Sequence, residues 1–166
     1  MNTTRLTSLN NTLSRLAAHD VLAFGARLSL AAIFLLSART KVDGWFHLTD
    51  NAVALFDEEY RLPWISALFA AQLATVAEHL IAAMLAIGLG TRLAAAGLLV
   101  MTLVIQLLVY PAAWPTHLSW ATLALYLIGN GGGRTALDYW LVPLTRTKSG
   151  PNVVTSLIKP ETLRQP

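Results

Sequence analysis

The sequence predicts an all-α integral membrane protein, a four-helix bundle with a short interfacial helix in its first outer loop. Of its 166 residues, 55% are hydrophobic and only 13% are charged, whereas a soluble domain normally carries about 25% charged residues. The deficit of charge is concentrated in four apolar segments, which are long enough, or nearly so, to cross a bilayer as helices. The chain has no cysteine, which excludes disulfides, iron–sulfur clusters and thiolate chemistry within it.

The four apolar segments are residues 21–38, 64–88, 93–112 and 117–128, of which the last is the shortest and needs flanking residues to span. We place them in one transmembrane domain of residues 19–142. Residues 1–18 carry leucines at helical spacing, which predicts an amphipathic helix on the cytoplasmic membrane surface, with a frayed polar tail as the alternative. Residues 143–166 are polar and rich in proline, which predicts a cytoplasmic tail.

The basic residues outside the spans are distributed unequally between the two sides of the membrane. Three lie on the side of the long loop between the first two spans, namely Arg39, Lys41 and Arg61. Eight lie on the other side, namely Arg5, Arg15, Arg92, Arg134, Arg146, Lys148, Lys159 and Arg164. The positive-inside rule therefore places both termini in the cytoplasm.

The long outer loop, residues 44–62, has an amphipathic pattern of its own. Its apolar residues share one helical face and alternate with acids; they are Trp45, Leu48, Ala52, Leu55 and Phe56. This pattern predicts a short helix that lies in the membrane interface and caps the outer end of the bundle.

Glu78 is the most informative residue, because it lies inside the second apolar segment. Hydrocarbon does not solvate a carboxylate, so an intramembrane acid indicates a functional interior. Glu78 lies about 15 Å and Arg27 about 11 Å from the cytoplasmic end of its span, at 1.5 Å per residue. We therefore predict an Arg27–Glu78 pair. Such a pair would fix helix registry, transfer protons or form a hydrogen bond to a quinone head group.

Other polar residues of the spans are candidate quinone contacts, because polar groups turn inward in lipid. We assign this role to His79, Gln106 and Tyr110. His79 could instead ligate a haem or a metal, or form a hydrogen bond between helices. His47 and His117 both lie on the outer side, but two ligands are too few for a metal site, and none is predicted.

Several of these residues occur in an order that resembles the DoxX family. They are Arg27, Ser37–Lys41, Glu78, Gly88-Leu-Gly-Thr-Arg92, Tyr110–Trp120 and Gly131-Gly-Gly-Arg-Thr-Ala-Leu-Asp138. The resemblance covers residues 20–142 and implies a four-helix protein of the bacterial inner membrane. Members are associated with quinone-linked oxidoreductases such as thiosulfate:quinone oxidoreductase, with complexes that handle oxidative or thiol stress, and with metal-related gene sets. The resemblance also implies that Lys41, Arg92 and Asp138 are structural or family-motif residues, and that Arg27 and Glu78 are important as well.

Two functional hypotheses follow. In the first, the chain is the quinone-interacting or membrane-anchoring subunit of a small redox or stress-response complex, with no covalently bound cofactor and a quinone as its ligand. In the second, it is a non-catalytic membrane scaffold for a partner protein, for example a metal-handling one. A transporter is weaker, because no repeat or broken helix is evident. Its partners are then the lipid bilayer, another protein and, in an oligomer, further copies of itself. Nucleic acid is excluded by the small net charge of +3 and the apolar composition.

Overall fold

A computed structural model describes residues 3–44 and 47–145, with side chains for residues 18–44 and 47–141. The described chain is mostly helical. Its helices are α1 (Thr3–Thr40), α2 (Asp50–Leu55), α3 (Ala67–Ile87), α4 (Thr91–Val104), α5 (Trp114–Asn130) and α6 (Leu137–Thr145). α2 continues as a π-helical turn, Phe56–Tyr60, and α4 continues as another, Ile105–Val109. A 3₁₀ turn, Pro111–Ala113, precedes α5.

Three helical stretches are long and apolar enough to cross a membrane: Ala18–Thr40, Ala67–Ile87 and Thr91–Val109. They confirm the first three predicted spans and a multi-pass helical protein. The fourth predicted segment is also a helix, α5, which has 17 residues and ends where the glycines begin at Gly131. Large apolar side chains remain exposed along these helices, for example Leu73, Val100 and Leu107. Such side chains are the surface that contacts lipid.

The four long helices pack in a closed ring, in which α1 contacts α3, α3 contacts α4, α4 contacts α5, and α5 contacts α1. Successive helices run in opposite directions, so each end of the ring collects several loops. We name these the Gly88 end, where α1 enters and α3 stops, and the Ser66 end, where α1 stops and α3 begins. The core contains many alanines, including Ala23, Ala26 and Ala95. Small side chains let helix backbones approach closely, which favours packing within lipid.

α1 is one continuous helix, and it runs through the boundary that we predicted after residue 18. The sequence has no glycine or proline between residues 3 and 24, so nothing ends the helix there. The predicted amphipathic segment is therefore not separated from the first span by a break. The predicted tail lies outside the described residues from position 146 onward.

The loop of residues 44–62, which we predicted to be the outer loop, contains a helix that begins later than its apolar pattern indicated. Residues Val42–Asp43 and His47–Leu48 first pair as a short antiparallel hairpin, and Gly44 supplies a left-handed residue with φ 65°. α2 then starts at Asp50, because the Thr49 hydroxyl accepts a hydrogen bond from the N–H of Ala52. Trp45, which we placed on this helix, lies outside the described residues.

The loop helix is tied to the Ser66 end by apolar contacts. Phe56 is buried in a cluster with Ala70 and Ala71, at the start of α3. The helix continues into a π-helical turn and ends at Arg61, whose φ is 41°. The turn places Tyr60 beside α3, close to Glu78.

Candidate functional site

A buried ion pair links the end of α1 to the middle of α3. Lys41 Nζ lies 2.9 Å from Oε2 and 3.2 Å from Oε1 of Glu78. Ser37 completes the group, because its hydroxyl donates to Glu78 Oε1 at 3.2 Å and accepts from Lys41 Nζ at 2.8 Å. We refer to these three residues as the Lys41–Glu78–Ser37 group. Glu78, the acid of the second apolar segment, therefore lies among buried polar side chains.

The group is almost completely removed from solvent, with Lys41 and Glu78 exposed by 4% and 3%. Burying two charges is expensive unless each is paired and hydrogen-bonded. Lys41 meets this condition, since its ammonium also donates to the Ser37 carbonyl at 3.1 Å. That carbonyl belongs to the last turn of α1, where backbone acceptors lack partners within the helix. A lysine at this position therefore also stabilises the end of the helix.

The predicted pair between Arg27 and Glu78 is wrong, and the reason is the direction in which helical side chains point. Every Cα–Cβ bond in an α-helix tilts toward the N-terminus of its helix. Arg27 on α1 therefore leans toward the Gly88 end, whereas Glu78 on the antiparallel α3 leans toward the Ser66 end. Lys41 leans back from the end of α1 into the ring of helices and meets Glu78 there.

Arg27 instead contacts the glycine-rich turns at the Gly88 end. It is 1% exposed, and its Nη1 donates to the Gly132 carbonyl at 3.3 Å. The same guanidinium packs against Gly88, so that a Cβ on that glycine would overlap it. Gly88 has φ 73° and caps α3. Arg27 thus joins α1 to the turns that follow α3 and α5.

Asp138 also lies at the Gly88 end, where it caps α4. Its two carboxylate oxygens accept the N–H groups of Gly90 at 2.6 Å and Thr91 at 2.7 Å. These are among the free donors at the start of α4, where the helix dipole also favours a negative charge. Arg92 is exposed and donates to the Gly129 carbonyl at 3.4 Å. An open cavity of about 690 Å³ lies beside these residues.

The three predicted quinone contacts lie on different elements, with His79 on α3, Gln106 on the π-helical turn after α4 and Tyr110 directly after that turn. His79 Nδ1 lies 2.8 Å from the carbonyl oxygen of Thr75, one turn earlier in α3. Gln106 Nε2 donates to the Pro111 carbonyl at 2.9 Å. The Tyr110 hydroxyl donates to the carboxylate of Glu59 in the outer loop. Each of these polar side chains has a local partner of its own.

Tyr60 is the residue near Glu78 that sequence reasoning missed. Burial, the negative charge of Glu78 and the nearby Tyr110 and Glu59 raise the pKa of Tyr60 to about 12. The hydrogen bond to Glu59, followed by burial, also raises the pKa of Tyr110. Both phenols are therefore neutral at physiological pH and can donate hydrogen bonds. No motif or helical spacing in the sequence connects Tyr60 with Glu78. Their proximity is therefore evident only from the folded loop.

Helices that can cross a membrane several times, with a buried ion pair between two of them, define a multi-pass membrane protein with a polar interior. The family model described as DoxX matches residues 22–111, more than half of the chain, and the protein belongs to the DoxX family. The match includes Arg27, Lys41, Glu78 and Arg92, whereas Asp138 lies beyond it. In the comparisons with curated proteins and with solved structures, nothing matches the chain.

Proposed function

We propose that this protein is the quinone-interacting membrane subunit of a small redox or stress-response complex. The observation that carries the proposal is the Lys41–Glu78–Ser37 group, an ion pair inside the membrane-spanning helices. Ionisable residues at such depth mark proton or substrate pathways by default, because they are expensive to keep there. Family membership supports the proposal, since members of the DoxX family are associated with quinone-linked oxidoreductases.

The proposal includes a topology. All four long helices cross the bacterial inner membrane as one bundle, and both termini lie in the cytoplasm. The closed ring of contacts supports four spans, because α5 packs between α4 and α1. The unequal distribution of lysine and arginine supports the orientation. In this topology the Ser66 end is the outer end, and α2 lies over it in the membrane interface.

The polar group has the chemistry that a quinone head group requires. A quinone carbonyl accepts hydrogen bonds. The candidate donors are the Tyr60 hydroxyl and, if they exchange their present acceptors in Glu78 and Ser37 for the quinone, Lys41 Nζ and the Ser37 hydroxyl. A bound quinone supplies chemistry in which two electrons and two protons convert it to the quinol. Glu78 would hold and release protons, and Lys41 would stabilise its carboxylate. Because the chain has no cysteine, we assign the electron-donating centre to a protein partner.

Infrared spectroscopy tests the binding of a quinone without knowledge of the electron donor. The purified protein is placed in lipid nanodiscs with a short-chain ubiquinone, and the carbonyl stretch of the quinone is recorded. We expect a fraction with a lowered frequency, which reports hydrogen bonds to its carbonyl oxygens. The double variant Lys41→Met/Glu78→Leu should lose this fraction, whereas Glu58→Gln, an exposed acid of the outer loop, should keep it.

The double variant is informative because it replaces the ion pair by apolar side chains, which often leaves stability unchanged or improved. A lost signal then reports lost binding rather than unfolding, and circular dichroism verifies the helices. A carbonyl stretch that is unshifted in the wild-type protein, or equally shifted in the double variant, would contradict the proposal. In the complex captured from native membranes, the double variant should reduce quinone at least about 100-fold more slowly than the wild-type protein. This factor is typical of the loss of a positioned acid–base group.

A second candidate function, a membrane scaffold for a partner protein, is favoured by the length of α1. The helix has 38 residues, of which the apolar stretch Ala18–Thr40 has 23. The helix therefore continues beyond that stretch for 15 residues (38 − 23), or about 22 Å, at the Gly88 end. A helical arm of this length is a suitable docking element.

Two deletions test the scaffold function. Removal of residues 3–17, or of residues 146–166, should release the partner from the tagged protein in mild detergent while the unfolding temperature stays within about 2 °C. The expected partner is a redox protein in the first function and a metal-handling or other non-redox protein in the second. Undiminished recovery of the partner after both deletions would refute docking at either terminus.

A further inference from the structure

A small cleft at the Ser66 end has a polar residue that the proposed function does not use. The cleft has a volume of about 250 Å³ and lies between α4, the π-helical turn that follows it, and α5. Its lining consists of Thr102, Leu103, Gln106, Trp114, His117, Leu118 and Ala121. The cleft is distinct from the Lys41–Glu78–Ser37 group, none of whose residues lines it.

A chain of hydrogen bonds places a hydrogen on Nδ1 of the His117 ring. The Pro111 carbonyl can only accept, so the side-chain amide that faces it at 2.9 Å presents its NH₂ group. The other side of the Gln106 amide is then the carbonyl oxygen, which lies 2.7 Å from His117 Nδ1. An oxygen can only accept, so Nδ1 carries the hydrogen. In the neutral imidazole, Nε2 is consequently unprotonated and is an acceptor.

This acceptor has no partner within the described part of the chain, although the side chain is almost buried. His117 is 5% exposed, and its described contacts are the bond to Gln106 and the ring of Trp120 at 5.2 Å. Nε2 is not one of the fully buried side-chain atoms that lack a partner among the described residues, so this nitrogen is accessible and can accept a hydrogen bond from a molecule in the cleft. The π-helical turn that carries Gln106 is itself a type of irregularity that is frequent at functional sites.

The rest of the cleft offers almost no other polar contact. The Thr102 hydroxyl is already engaged, because it donates to the Leu98 carbonyl at 2.9 Å. Leucine, alanine and the indole of Trp114 form the remaining walls. The volume lies just below the ~300–1,000 Å³ of typical ligand pockets, so it suits a single ring better than a whole lipid. The occupant that fits is a small ring with one hydroxyl donor.

We propose that this cleft binds a phenol-type ring whose hydroxyl donates a hydrogen bond to Nε2 of His117. Gln106 is the positioning residue, because it holds the imidazole in the tautomer that can accept. The aromatic walls at Trp114 and His117 favour a flat ring through edge and offset stacking. A quinol belongs to this chemical class, but binding in the cleft requires neither a quinone at Glu78 nor a redox partner.

Nitrogen NMR of the protein labelled with ¹⁵N-histidine tests the cleft with a matched pair of probes, phenol and anisole. The two molecules have similar rings, but anisole lacks the hydroxyl hydrogen. Protein in lipid nanodiscs is titrated with each, and the Nε2 resonance of His117 is assigned from its absence in His117→Phe. We expect a saturable upfield shift with phenol and none with anisole. Anisole should displace phenol from the cleft in a competition titration, with an affinity roughly threefold to tenfold weaker than that of phenol, as expected for the loss of one hydrogen bond.

Two variants of α5 separate the cleft from non-specific partition into lipid. Ala121→Phe fills the cleft from a lining position and should abolish the saturable shift. Leu125→Phe adds a ring to the same helix at a position that is 57% exposed and not in the cleft, and should leave the shift unchanged. Equal shifts with phenol and anisole, an unchanged shift in Ala121→Phe, or no saturable shift with phenol would each overturn the proposal. The probe comparison uses the wild-type chain, so it stands even if a variant fails to fold.

Discussion

Removing one partner of the buried ion pair should destabilise the protein far more than removing both. The perturbations are Lys41→Met, Glu78→Leu and the double variant. In the wild-type protein, Lys41 Nζ lies 2.9 Å from Glu78 Oε2, and both side chains are almost fully buried. Coulomb's law gives an attraction of about 6 kcal/mol at this separation for an effective dielectric constant of about 20.

The loss of solvation offsets much of this attraction, so the net contribution of the pair is small. Each single replacement, in contrast, leaves one charge buried without its partner. We therefore expect each to lower the free energy of unfolding by about 3–5 kcal/mol. The free energy of unfolding of the double variant should lie within about 1 kcal/mol of the wild-type value or above it, because two apolar side chains of similar volume fill the same space.

Equilibrium unfolding in mixed detergent micelles, followed by circular dichroism, measures all four proteins. Arg39→Met is the matched control, since it removes a basic side chain two residues away that is exposed and should change stability by less than about 0.5 kcal/mol. If the losses in the single variants simply add in the double variant, the two residues are not coupled. That result would refute the conclusion that Lys41 and Glu78 stabilise each other as a buried ion pair.

Three further predictions concern residues outside the ion pair. Asp138→Ala should lower the free energy of unfolding by about 1–2 kcal/mol, because two N–H groups at the start of α4 lose their acceptor; an unchanged melting temperature would contradict the cap. Gly88→Ala should cost about 1–3 kcal/mol more than Gly44→Ala. Both glycines have positive φ, but only at Gly88 would a new Cβ overlap neighbouring atoms, including Ala136 Cα at 2.6 Å; equal losses would argue against that close packing. Finally, Tyr60 has a pKa raised to about 12, so the folded state favours the neutral phenol, and its contribution to stability is present below the ordinary pKa of about 10 and lost as the pH rises toward 12. Unfolding measured from about pH 9 to 12 should show a shallower loss in Tyr60→Phe than in the wild-type protein, and parallel curves would count against it.

The helices were predictable because their signal is local. The three apolar stretches have 23, 21 and 19 residues, close to the roughly 20 that a bilayer requires, and the structure contains helices at all three. Gly131 ends α5 and Gly88 ends α3, as glycine commonly does at a helix C-terminus. The acid at position 78 was also predictable as an interior residue, because no other position in its apolar segment has a comparable solvation cost.

The partner of that acid was not found by counting residues along each helix. Depth alone placed Arg27 and Glu78 at similar levels, but it ignored the tilt of side chains toward the N-terminus of each helix. With that rule, the antiparallel arrangement of α1 and α3 favours Lys41. The spacing of Ser37 and Lys41, one helical turn apart, supports the same choice.

Other contacts had no signal in the sequence at all. Val42–Asp43 and His47–Leu48 pair as a hairpin. The apolar pattern of residues 44–62 predicted a helix and gave no indication of this turn. The bond between Gln106 and His117 joins two helices across a reversal of the chain. The orientation of the Gln106 amide depends on the Pro111 carbonyl, so the acceptor in the cleft is visible only in the folded structure.

The amino-acid sequence is sufficient to show that this protein is helical, that it crosses a membrane several times and that it carries a charged residue within an apolar segment. These properties follow from composition and from the cost of exposing backbone or charge to lipid, which act on each segment separately. Three contacts, in contrast, are visible only in the folded protein: Lys41 pairs with Glu78, Arg27 packs against the glycine turns and Gln106 orients His117. These contacts depend on the relative direction and register of neighbouring helices, which long-range packing sets.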